Sequence, residues 1–182
     1  MTNSEPRAGD TIDSKTVAEA LHTETGGRAA TGTAAKILFV VPLLWSLFQL
    51  WIASPLPYIV EFGVFNSTEA RSIHLAFAAF LAFAAYPMIR GRNVDHVPVY
   101  DWILALAAAF AASYLYLFYD QLATRPGSPI TQDLIIALGG LVLLLEATRR
   151  ALGLPLTIVA GVFLIYALAG PYMPDVISHK GA

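Results

Sequence analysis

Five apolar stretches, separated by short charged or Pro/Gly-rich breaks, fill this chain from Ile37 to Met173. No Asp, Glu, Lys or Arg occurs in Ile37 to Val60, Ser72 to Ile89, Trp102 to Tyr119 or Ala151 to Pro174. Leu134 to Leu145 is a shorter run, extended by Glu146, Ala147 and Thr148 before Arg149. A helix needs about 20 mostly apolar residues, and at least about 17, to cross the hydrocarbon of a bilayer. Four runs meet that bound alone. The fourth in chain order meets it only with Glu146, Arg149 and Arg150 in its last turns, where long side chains snorkel to the headgroups. The expected fold is an all-α, polytopic transmembrane helical bundle. Its spans should lie near Lys36–Tyr58, Ser72–Ile89, Asp101–Tyr119, Asp133–Arg150 and Leu154–Ala169.

Composition excludes the main competitors. The chain is 57% hydrophobic and 13% charged, against about 25% charged for a soluble domain. A membrane β-barrel needs segments of about ten residues that alternate apolar and polar, whereas LALAAAFAAS (Leu104 to Ser113) is apolar on every side. A net charge of -2 gives no basic surface for nucleic acid, and the absence of cysteine excludes disulfides and thiolate metal sites. Residues 1–35 are different material, rich in Ser, Thr, Gly and acidic residues, too polar to offset their ordering entropy. They read as a disordered cytoplasmic tail before a membrane domain at 36–182. A turn or two of helix is plausible at Ser14 to Leu21, where Ser14 could cap and Val17, Ala18 and Leu21 share a face. The first apolar run starts too far from the N-terminus for a secretory signal.

Orientation follows from Lys and Arg near the helix ends. One set of alternate loops carries Arg28, Lys36, Arg90, Arg92, Arg149 and Arg150, and the other carries Arg71, Arg125 and Lys180. Six against three places the N-terminus in the cytoplasm and, with five spans, the C-terminus outside; four spans and a re-entrant fifth segment would return it inside. Tyr58, Trp102, Tyr116, Tyr119 and Tyr172 stand near run ends, where aromatic belts form. Pro42, near the start of its run, fits a first turn or a slight kink. Ala78 with Ala82, Ala105 with Ala109, and Ala108 with Ala112 are small-residue pairs four apart that let helices approach closely.

Candidate chemistry is sparse. His74 could serve as a proton relay or ligand, but a histidine at a helix end reaching the headgroups is the simpler reading. Glu146, Arg149 and Arg150 can meet on one helix surface. An ion pair closing the helix end is favoured there over a contact site for another subunit. Gln49, inside the first run, could hydrogen-bond across helices. The histidines at 22, 74, 96 and 179 form no metal-ligand pair, and Asn66-Ser67-Thr68 matches the glycosylation triplet. No catalytic, cofactor or metal residue is assigned, and an enzyme is not expected.

Several motifs in order resemble a known membrane component: RSIHLAF (Arg71 to Phe77), the Tyr86-Pro87 helix end, VYDWILAL (Val99 to Leu106), SPITQDLIIAL (Ser128 to Leu138), LEATRRALGLPL (Leu145 to Leu156), LIYALAGPYMP (Leu164 to Pro174) and HKG (His179 to Gly181). In this order they resemble the N-terminal, small-subunit (Q-type) region of fused permeases of tripartite ATP-independent periplasmic (TRAP) transporters, in the subclass served by TAXI-type solute-binding proteins. The resemblance implies a bacterial or archaeal inner-membrane symport system. In it a periplasmic binding protein delivers solute, a large membrane subunit holds the sodium and substrate sites, and a small subunit of four core helices braces the large one. Leu154 to Ala169 would be the fifth, connector helix. The chain stops at Ala182, where the large part would begin, and so is expected to be a separate small subunit or a truncated fused permease. On either reading its partners are the large TRAP subunit, the TAXI-type protein and the lipid bilayer, with no cofactor. The alternative is an unrelated integral membrane scaffold or assembly factor.

Overall fold

Residues 26–89, 95–174 and 178 are described by a computed structural model, and among them every regular element is a helix. The elements are α1 (Gly32–Ala53), α2 (Leu56–Val60), α3 (Ser67–Ala85), α4 (Val99–Leu117), α5 (Tyr119–Ala123), α6 (Thr131–Leu152) and α7 (Leu154–Leu168). A single 3-10 turn, Gly170–Tyr172, follows. The proposed turn of helix at Ser14 to Leu21, the tail up to residue 25, Arg90, Arg92, and the HKG motif with Lys180 lie outside the described residues, as do His22 and His179.

The helices fall on the five apolar runs, but their ends are set by local chemistry that apolar length does not report. α3 begins at Ser67, five residues before the expected Ser72, because Asn66 caps it. Its side-chain oxygen accepts from the Thr68 and Glu69 amides at 2.9 Å each, and Glu69 returns an acceptor to the Asn66 amide at 2.8 Å. This reciprocal capping box satisfies amides the first turn leaves open, and it gives the Asn66-Ser67-Thr68 triplet a structural use. α1 begins at Gly32 and breaks at Ser54, before Pro55, so the expected span to Tyr58 is divided between α1 and α2. Pro42 consequently sits in the middle of α1 and not in its first turn, leaving the Leu38 carbonyl without its helical amide. α6 and α7 are separated by Gly153, whose φ of 92° is a conformation that a side chain disfavours.

α1 and α4 are each long and apolar enough to cross a membrane. The other expected spans differ. α3 opens on a polar turn, α6 carries Asp133, Glu146, Arg149 and Arg150, and α7 has 15 residues, short of the usual lower bound of about 17.

The chain runs up and down, with α3, α4 and α6 as a three-helix centre; α1 packs on α3 and α7 on α6. The centre is thin and built on small residues. Ala79 and Phe83 of α3, Ala105 and Ala108 of α4 and Ala147 of α6 form the buried cluster, flanked by Phe80, Leu104 and Leu143. Of the alanine pairs expected as seams, Ala105 and Ala108 are buried, whereas Ala78, Ala82, Ala109 and Ala112 are only half-buried. Gly140 lets α6 approach α4, since a Cβ there would stand 3.2 Å from that of Ala111. α1 is held by rings instead: Trp45 stacks on Phe77 at 6.3 Å, and Phe48 meets Phe65 and Phe77 at 5.8 and 6.2 Å. No residue of α1 or α7 is buried.

Candidate functional site

Charge is concentrated at the two ends of the three-helix centre. At one end, where α3 finishes, α4 starts and α6 finishes, Asp101 is completely buried. Pro98 sets the entry to α4, and Asp101 falls in its first turn, where the helix dipole favours a carboxylate. One carboxylate oxygen accepts from Arg150 Nη1 at 2.6 Å, and the other accepts from Arg28 Nη2. Arg28 comes from the segment before α1. Its Nη1 also donates to the Phe83 and Ala84 carbonyls at 3.1 and 2.9 Å, and its backbone amide to Ala85 O at 2.8 Å. These carbonyls belong to the last turn of α3, which has no amides of its own to offer them. The expected disordered tail to residue 35 therefore needs correction over its described part: residues 26–31 dock through Arg28, and 32–35 already belong to α1. Burial of the guanidinium against a carboxylate and two carbonyls supplies the ordering that composition alone does not.

α6 contributes the rest. Glu146, Arg149 and Arg150 do meet on one surface. Glu146 Oε2 accepts from Arg149 Nε at 2.7 Å, and Oε1 accepts from Arg149 Nη2 at 2.7 Å and Arg150 Nε at 2.8 Å. Arg149 Nη2 also donates to Met88 O at 3.1 Å, joining α6 to the chain just beyond α3. The Arg150 guanidinium carbon lies 4.7 Å from the centre of the Phe83 ring, a cation–π arrangement. Three arginines and two carboxylates thus form one continuous latch across the N-terminal segment, α3, α4 and α6. The sequence exposed its α6 half through i, i+3 and i+4 spacing. It hid the other half, because Arg28 and Asp101 are 73 residues apart. The one signal available was Asp101 itself, a charge at the head of an otherwise apolar run.

The opposite end holds a smaller network. Asp133 Oδ1 accepts from the Tyr114 hydroxyl at 2.7 Å, and Oδ2 pairs with Arg125 at 3.1 Å and accepts from the Ile130 amide at 3.0 Å. At about 1.5 Å per residue, the sixteen residues from Asp133 to Arg149 span about 24 Å along α6.

His74 is placed differently from the sequence reading. With α3 starting at Ser67, it is the eighth residue of that helix and not near its end. Its Nδ1 accepts from Trp45 Nε1 at 3.2 Å and is hydrogen-bonded to Gln49 Nε2, so Gln49 does reach across helices. His96 lies in the segment before α4. Among the described residues no three His, Asp or Glu side chains gather into a metal-binding group. Comparison with protein-family models, curated proteins and solved structures finds no match for this chain. The arrangement amounts to an electrostatic fastening, with its charges spent on one another.

Proposed function

We propose that this chain is the small, non-catalytic membrane subunit, or the N-terminal membrane part of a fused permease, of a sodium-coupled TRAP-type solute importer. On this reading five helices cross a bacterial or archaeal inner membrane with the N-terminus cytoplasmic. Their work is to brace a large transport subunit supplied with solute by a TAXI-type binding protein. The observation that supports it best is the combination of an internally paired latch with flanking helices, α1 and α7, in which no residue is buried. Rigidity comes from within, and the outer faces are left for lipid and for another protein's helices. In lipid, helix association relies on close packing and not on hydrophobic burial, and the alanine-rich centre suits that. The charges of α6 sit near its two ends, where a span tolerates them, and α7 would be the short connector.

Co-purification of the tagged chain from its native membranes, followed by mass spectrometry, tests the reading. Enrichment of a large polytopic permease and a periplasmic solute-binding protein is expected. Enrichment of some other assembly, with neither of these present, would favour the unrelated scaffold instead.

A further inference from the structure

Beside the latch, between the end of α3 and the joint of α6 with α7, lies a cleft of about 580 Å³. Its walls mix two chemistries. Arg149 and Arg150 line one side, and Met88, Ile89, Leu152 and Leu154 supply apolar lips. These four lip residues are 51–63% exposed, which leaves the cleft open laterally. Arg149 is the polar element within reach. Its Nε and Nη2 are held by Glu146 and the Met88 carbonyl, Nη1 makes no hydrogen bond among the described residues, and the side chain remains 31% exposed. The guanidinium is therefore oriented by Glu146 while still able to receive an anion, and charge-assisted bonds of this kind are the strong ones.

From these features we infer that the cleft binds the phosphate of an anionic phospholipid, with Arg149 Nη1 as donor and the apolar lips against the glycerol and upper acyl chains. Basic pockets between helices at the membrane surface take lipid head groups in this way. A small soluble anion would use the arginine but leave the lips bare. A zwitterionic lipid would bring its own cation beside the Arg149 guanidinium. The inference goes beyond the transport reading and needs only that the chain reside in a bilayer.

Native mass spectrometry of the purified 182-residue chain in mild detergent tests it, with dioleoylphosphatidylglycerol, dioleoylphosphatidylcholine and inorganic phosphate titrated separately. The phosphatidylglycerol adduct should be tighter than the phosphatidylcholine adduct by about tenfold, the effect of one charge-assisted hydrogen bond. Arg149→Gln should remove that preference. Because this variant also disturbs Glu146, Leu152→Trp provides a second test: it fills the cleft, leaves the charges alone, and should weaken phosphatidylglycerol binding at unchanged helix content by circular dichroism. Equal affinity for the two lipids, unchanged binding in Leu152→Trp, or saturation by inorganic phosphate that lipid fails to displace would each overturn the inference. Incorporation of the chain into nanodiscs, scored separately, keeps failure of the lipid site distinct from failure of the membrane assignment.

Discussion

Asp101 is the residue on which the latch turns. It is fully buried and holds two arginines from separate parts of the chain. Removing one partner of a buried ion pair leaves uncompensated charge and costs about 3–5 kcal/mol. Asp101→Asn should therefore lower the melting temperature markedly in detergent, whereas Glu146→Gln, at a site 28% exposed, should lower it much less. In a double-mutant cycle, Arg28→Gln added to Asp101→Asn should cost less than the separate losses combined, with a coupling of about 0.5–3 kcal/mol. Additive losses would mean that the pair does not act as one unit. The sequence made half of this legible. Glu146, Arg149 and Arg150 meet through helical spacing, which is a local property. Arg28 reaches Asp101 only because the up-and-down topology brings the start of α1 beside the end of α3, and no periodicity encodes that.

Among the elements, α6 carries the sharpest contrast, since two adjacent glycines lie on different faces. A Cβ at Gly139 would meet nothing within 4 Å, while one at Gly140 would press on Ala111. Gly139→Ala should hold or raise thermal stability, gaining up to about 1 kcal/mol of helix propensity. Gly140→Leu should push α6 from α4 and lower stability clearly. Thermal unfolding of the two variants in the same detergent checks this, and equal melting points would contradict the α4–α6 seam. Helix positions were legible for a simple reason: apolar run length tracks where a helix can lie. Helix ends were not, because Asn66 recruits Ser67 to Arg71 into α3 through hydrogen bonds that hydropathy ignores. The same extension moved His74 from a helix end to the eighth position of α3, where it meets Trp45 and Gln49.

At the scale of the whole molecule, the proposed role is that of a rigid membrane brace that works only with a partner. Its orientation is open to direct measurement, because the chain has no cysteine and any introduced one is unique. With single cysteines at Ser4 and Ala182, an impermeant thiol reagent applied from outside should label the second and spare the first. Equal labelling of both would contradict the five-span orientation. The central claim is tested most directly by reconstitution into liposomes under a sodium gradient. On the proposed role, the 182-residue chain alone should take up no solute, and sodium-dependent uptake should appear once a large membrane partner and a solute-binding protein recovered by co-purification are added. Sodium-dependent uptake by the purified chain with no second membrane protein present would contradict it.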